Sequence, residues 1–277
     1  VDGLEARLNN FEAGSFSETT TASFSADFYV GSTDTDDGSS ATDVNDFDDS
    51  IMAGYGFQID LNTSFTGEDS LDISIDGGNA AGAGYAEFDG NSTSDYLVVD
   101  GVSYTFPIGS VTAFVGDNTD GSLLFTTACV YGGPSNTLDD CGNVNAAISS
   151  GETSFGGSYD FDNGFTAAFG VQTGNQIITE ETQDAYALNA AYTGENYGVS
   201  ITYAYADNAT LTNHDGVAAF QGYYTPEGLP SISVGYEVGE AGGKSSEVDG
   251  FESFFVGLTW DEVGPGSAGF ALGHSTT

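Results

Sequence analysis

From Phe16 onward the chain alternates apolar and polar residues with a period of two. Phe16, Ala22, Phe24, Ala26, Phe28 and Val30 share one parity, while Ser15, Ser17, Thr19, Thr21, Ser23, Ser25 and Asp27 share the other. The next segment is cleaner: Ile51, Ala53, Tyr55, Phe57, Ile59 and Leu61 alternate with Met52, Gly54, Gly56, Gln58, Asp60 and Asn62. Alternation of this length predicts strands with one apolar and one polar face. It recurs around Ile73, Tyr104, Ala113, Tyr159, Ala167, Leu188, Ile201, Gly222, Val234, Val256 and Phe270, giving thirteen expected strands. Ahead of them, Leu4, Leu8 and Phe11 at i, i+4 and i+7 predict a helical start over residues 1–14. That length is too short to stand alone, so it reads as the end of a longer helix or coiled coil.

The connections alternate in length. Short, turn-like links fall at Gly67-Glu68-Asp69, Pro107-Ile108-Gly109, Asp162-Asn163-Gly164, Gly194-Glu195, Pro226–Pro230 and Glu262–Gly266. Asn163-Gly164 is a strong hairpin signal, because that turn requires positive φ. Longer polar stretches lie between them, at 31–50, 77–95, 116–152, 174–184, 206–216 and 239–250. Short and long in strict alternation is the pattern of an up-and-down antiparallel transmembrane β-barrel. A sandwich would mix in crossovers. The polar parity supports the barrel: it carries Gly, Ser, Thr, Asn and Ala instead of the Lys, Arg and Glu that solubilise an outer surface. Aromatics near strand ends (Tyr29, Phe106, Phe161, Tyr192, Tyr224, Trp260) suit interfacial girdles.

Charge narrows the function. Across 277 residues, Lys and Arg total 2 against 42 Asp and Glu, a formal net charge of -40. Such a chain cannot neutralise phosphates, which excludes nucleic acid. Forty glycines disfavour helical bundles, and 13% aromatics argue against disorder. No run of 18 apolar residues marks a membrane helix, and a mean hydropathy of -0.14 fits either a soluble β-protein or a barrel. The chain starts at Val1 without a leader and reads as a mature or partial product.

Few constellations carry chemistry. Cys129 and Cys141 share the longest loop, and their closeness favours a disulfide over free thiols. The stapled loop either folds into the lumen as a constriction or stays outside as a pinned external loop. Asp34, Asp36, Asp37, Asp43, Asp46, Asp48 and Asp49 form the densest acidic stretch. No calcium-loop spacing fits them, so they read as a solvated acidic loop, with loose Ca²⁺ or Mg²⁺ bridging as the alternative. His214 and His274 stand alone, and no G-x-S-x-G or Walker pattern is present, so no catalytic site and no resident cofactor are expected. Asp60, Asp72, Asp76, Asp160 and Glu237 fall on the polar parity of strands, where they are the expected pore-lining carboxylates.

Several stretches carry a resemblance. Leu4–Leu8 followed by Phe16–Thr21, Leu61–Leu71, Tyr104–Gly109, Ser158–Ala167, and Phe255–Trp260 with Ala268–Gly273 resemble the cyanobacterial outer-membrane porins of the Som-type, carbohydrate-selective-porin-like family. The resemblance implies a trimeric diffusion pore for inorganic ions and small hydrophilic solutes, seated among outer-membrane lipid and lipopolysaccharide. It further implies a cell-wall-binding domain and coiled coil ahead of residues 1–14, with the barrel occupying 15–277. A closed bacterial barrel has an even strand number, so about 14–18 strands are expected in the intact barrel, the last of them outside this chain. The family's junction and hairpins carry Lys and Arg that this chain lacks, and its acidity instead predicts weak cation selectivity. The alternative from another class is an acidic structural β-protein of the cell envelope without conductance.

Overall fold

A computed structural model of the protein describes residues 19–31, 51–79, 93–131, 141, 146–148, 152–174, 184–207, 214–241 and 250–276. The helical start expected over 1–14 and the acidic stretch from Asp34 to Asp49 lie outside the described residues. The described residues form thirteen strands: β1 (Thr20–Gly31), β2 (Met52–Thr63), β3 (Ser70–Gly78), β4 (Val98–Ile108), β5 (Val111–Asp117), β6 (Thr153–Asp160), β7 (Phe165–Thr173), β8 (Asp184–Thr193), β9 (Tyr197–Asp207), β10 (His214–Tyr224), β11 (Ser231–Ala241), β12 (Phe251–Val263) and β13 (Gly266–Thr276). Their order in the sheet follows the chain, so the topology is all-β, antiparallel and up-and-down. The chain divides into two compact units between Asp100 and Gly101.

The short turns form where the sequence supplies residues that tolerate positive φ. Gly67, Gly109, Gly164, Gly228 and Gly264 each hold φ between 62° and 88° at five of the six tight links. The β2–β3 turn has a second fastening. One oxygen of the buried Asp69 carboxylate accepts from the Phe65 and Thr66 N–H groups and from the Ser64 and Thr66 hydroxyls, at 2.7–3.0 Å. A carboxylate that takes several donors at a turn does the work a backbone ladder does within a strand.

The burial pattern inverts what a soluble domain shows. On the apolar parity, Phe28 is 83% exposed and Leu188 63%, and Val199, Ile201, Tyr203, Val234, Tyr236 and Val256 are all exposed. On the opposite parity, Asn189, Ser200, Thr202, Gln221, Ser233 and Ser253 are buried. In water the hydrophobic effect would drive the first set inward. Near the short turns of the second unit the rings of this face pack on one another: Tyr104 on Phe106, Tyr159 on Phe161, and Phe165 on Tyr192, which meets Tyr197, with centroids 4.7–5.6 Å apart. These aromatics border one end of the apolar face, as girdle residues do.

Candidate functional site

The polar face of the first unit is built row by row from strand register. Residues paired across an antiparallel ladder share a face, and alternate pairs lie about 7 Å apart along the strands. Four consecutive polar rows run Thr21–Asn62–Asp72, Ser23–Asp60–Ser74, Ser25–Gln58–Asp76 and Asp27–Gly56–Gly78. Each row contains one carboxylate. Asp60 accepts from Gln58 Nε2 at 2.7 Å, Ser74 Oγ at 2.7 Å and Ser23 Oγ at 3.3 Å. Asp72 accepts from Asn62 Nδ2 at 2.5 Å and Ser70 Oγ at 2.7 Å. All these donors are neutral, so they orient the two carboxylates without cancelling their charge. Arg7 and Lys244, the two basic residues, lie outside the described residues.

Of the five carboxylates expected on the polar face, three therefore stand together in this ladder, with Asp27 as a fourth rung. Asp76 is buried among them. Asp160 sits apart, exposed at the end of β6, where it accepts from the Asp162 N–H at 2.8 Å and fastens a short turn. Glu237 on β11 differs most from the expectation of a water-facing group. It is fully buried, and its Oε1 accepts from the Ala146 N–H at 2.7 Å. The physical reason is a loop that covers it.

That loop is the one connecting β5 and β6, and its direction answers the question the sequence left open. Its described parts lie against the polar face of the second unit. The N–H groups of alternate residues Thr126, Ala128 and Val130 donate to Asn189 Oδ1 on β8, Ser200 Oγ on β9 and Ser233 Oγ on β11, at 2.9–3.0 Å. Asn189 also donates to the Thr126 carbonyl at 3.2 Å, so it pairs with the loop as a neighbouring strand would. Wall side chains thus satisfy backbone groups, among them the N–H of the buried Ala128, that the loop's approach takes from water. Further along, Ala146 and Ile148 pack with Ala187, Ala204, Val217 and Ala219 in a small dry core. Part of the small-residue parity is therefore covered by protein, where the sequence reading expected water.

The loop approaches closely because the wall has glycines beneath it. A Cβ at Gly170 would collide with the Gly121 carbonyl, and one at Gly235 with the Cys141 carbonyl. Cys129 and Cys141 are joined in a disulfide, with Cα atoms 6.1 Å apart. Two aromatics break the polar parity here. Phe114 and Phe255 are each 1% exposed on the loop-facing side, and Phe255 takes the Tyr131 ring edge-on at 5.2 Å. The strand pattern missed both, along with the hydrogen-bonding roles of Asn189, Ser200 and Ser233. Two lone phenylalanines among Gly, Ser and Thr were the available signal.

Among the described residues no group of three or more His, Cys, Asp or Glu could hold a metal ion. His274 is exposed, its ring 6.0 Å from that of Phe254.

No protein-family model matches the chain. No curated protein matches it either. Solved structures do: a double mutant of the porin of Rh. blastica superposes with a TM-score of 0.56 at 10% identity, covering 93% of this chain and 83% of that one. A triple mutant of the Rhodopseudomonas blastica porin gives 0.55 at 10% identity, and another variant of it gives 0.53 at 11%, with the same coverage of both chains. The chain thus has the all-β, up-and-down antiparallel barrel fold of these porins.

Proposed function

We infer that the protein is an outer-membrane porin through which inorganic ions and small hydrophilic solutes diffuse passively, with a weak preference for cations. The observation that carries this reading is the inversion of the two faces. An exposed surface of Phe, Tyr, Ile, Val and Leu matches hydrocarbon, and a face of Ser, Thr, Asn, Gln and Asp matches a hydrated passage. The likeness to the Rh. blastica porins supports the same architecture. No chemistry is involved: solutes are filtered by the width of the passage and by its field.

Asp60, Asp72 and Asp76 are the carboxylates assigned to the water path, with Asp160 at its short-turn end and Glu237 holding the loop. A net charge of -40 makes the potential at the mouths negative, which concentrates cations and slows anions within about 8–10 Å at moderate salt. Cys129 and Cys141 staple the loop that narrows the passage. From the resemblance of Leu4–Leu8, Leu61–Leu71 and the other quoted stretches come the finer proposals: cyanobacterial type, a homotrimer in contact with lipopolysaccharide, and residues 1–14 as the end of a linker to a cell-wall-binding domain. Asp34, Asp36, Asp37, Asp46, Asp48 and Asp49 complete the picture as a solvated acidic loop, with loose Ca²⁺ or Mg²⁺ bridging as the alternative.

The test is reconstitution into a planar bilayer under a KCl gradient. Stepwise conductance with a cation-directed reversal potential is expected. Folded protein that never conducts would overturn the channel in favour of the structural envelope protein. Conductance with an anion-directed potential would overturn the selectivity alone.

A further inference from the structure

We propose that Asn163 is a self-modification site: in the β6–β7 turn, Asn163 and Gly164 close to a succinimide that water reopens as isoaspartate or aspartate. The turn brings the reacting groups together. Asn163 is exposed, and its Oδ1 accepts from the Phe165 N–H at 3.2 Å. That bond curls the side chain back along its own backbone, over the peptide nitrogen that follows it. The next residue has to be a glycine. Gly164 holds φ at +88°, and a Cβ there would come within 2.6 Å of the Thr193 carbonyl oxygen and 3.1 Å of the Tyr192 ring. The Gly164 carbonyl takes the Thr193 N–H at 2.8 Å, but its own N–H donates to no acceptor among the described residues. The fold thus requires the small residue whose nitrogen is least shielded, and leaves that nitrogen uncommitted.

In the reaction, water or hydroxide takes the proton of the Gly164 N–H and the nitrogen attacks Asn163 Cγ. The new C–N bond forms, the Cγ–Nδ2 bond breaks, and Nδ2 takes up a proton and leaves as ammonia. Negative charge gathers on Oδ1 during the attack, where the Phe165 N–H already donates. Water then opens the ring, at the Asn163 main-chain carbonyl to give isoaspartate or at Cγ to give aspartate. One water is consumed and one ammonia released, with no change of oxidation state. Either product adds a carboxylate to a turn that already carries Asp160 and Asp162. Isoaspartate also lengthens the main chain between Phe161 and Phe165, whose N–H and carbonyl close the turn at 3.0 Å.

The β8–β9 turn supplies an internal comparison. Asn196 is equally exposed there, but Tyr197 follows it, and its side chain crowds the nitrogen that would attack. The experiment holds the folded, intact protein in detergent at mildly alkaline pH and follows the peptides containing Asn163 and Asn196 by mass spectrometry over days. Asn163 should gain one mass unit at least an order of magnitude faster than Asn196, because glycine leaves its nitrogen open. Fragmentation distinguishes isoaspartate from aspartate. Asn163→Gln should abolish the gain at this position, since glutamine would have to close a six-membered ring. Gly164→Ala would collide with the Thr193 carbonyl, so wild-type protein unfolded in urea serves as the conformational control in its place. An Asn163 that stays an amide in the folded protein overturns the proposal, whether or not it converts in urea. Equal rates at Asn163 and Asn196 overturn it as well.

Discussion

The carbonyl oxygen of Cys141 occupies the space that a Cβ at Gly235 would need. Two residues further along β11, Glu237 accepts the Ala146 N–H. A side chain at 235 therefore lifts the same leg of the loop that Glu237 holds down. Gly235→Ala should destabilise the folded protein by about 1–3 kcal/mol through overpacking. Urea unfolding in detergent reads the effect, and a wild-type value would mean that the loop does not rest on β11.

Asn189 makes the loop's most strand-like contact, accepting from the Thr126 N–H and donating to its carbonyl. Its Nδ2 also reaches the Thr202 hydroxyl at 2.9 Å, so it joins the loop to β9 as well. Asn189→Ala strips partners from a part-buried N–H and carbonyl of Thr126, a loss of about 1 kcal/mol for each hydrogen bond. Amide hydrogen exchange at residues 124–130 should accelerate in this variant, while exchange in β2 and β3 stays as in wild type. Uniform acceleration across the chain would indicate a global loss of stability instead of loop release.

The strand faces were legible in the sequence because each strand separates its environments by parity alone. A reading of Tyr197, Val199, Ile201, Tyr203 and Tyr205 against Gly198, Ser200, Thr202 and Ala204 matches the exposed and buried sets on β9 residue for residue. The alternating loop lengths were equally plain, since Gly and Asn-Gly mark tight turns locally. The direction of the β5–β6 loop was not. Its backbone donors at 126, 128 and 130 find acceptors 63, 72 and 103 residues away, on side chains that look like any other polar-face residue. The carboxylate ladder sat between these extremes: parity identified Asp60, Asp72 and Asp76, and only register showed that each occupies its own row beside Asp27.

Placing a charge where a neutral residue stands on each face separates a membrane barrel from a soluble one. Ile201 is exposed on the apolar face at the middle of β9, and Ser25 is exposed on the polar face of β1. Ile201→Lys should cost about 2–4 kcal/mol in a bilayer, the penalty for a basic side chain at the hydrocarbon midplane. Ser25→Lys should fold as wild type, since that face already carries Asp27 and Asp60. The assay is refolding into lipid vesicles, scored by the mobility shift of unheated samples in SDS gels. A soluble protein would tolerate Ile201→Lys without penalty.

The four-rung ladder makes a prediction about salt as well as sign. Asp60 on β2 lies one row and one strand from both Asp72 and Asp76 on β3, roughly 8 Å, between the Debye lengths of about 10 Å at 0.1 M and 3 Å at 1 M. At 0.1 M each of these carboxylates is felt at the next, so a cation passing one is already attracted by another. At 1 M each acts alone. Asp60→Asn and Asp72→Asn should each lower the cation-to-anion permeability ratio, and the double variant should lower it further. The combined effect should exceed the product of the single effects at 0.1 M KCl and match that product at 1 M. Reversal potentials at the two concentrations measure all of this. Equal coupling at both concentrations would mean the rungs communicate through the packing of the strands and not through the field. A ratio unmoved by any variant would place the permeating ions away from this face altogether.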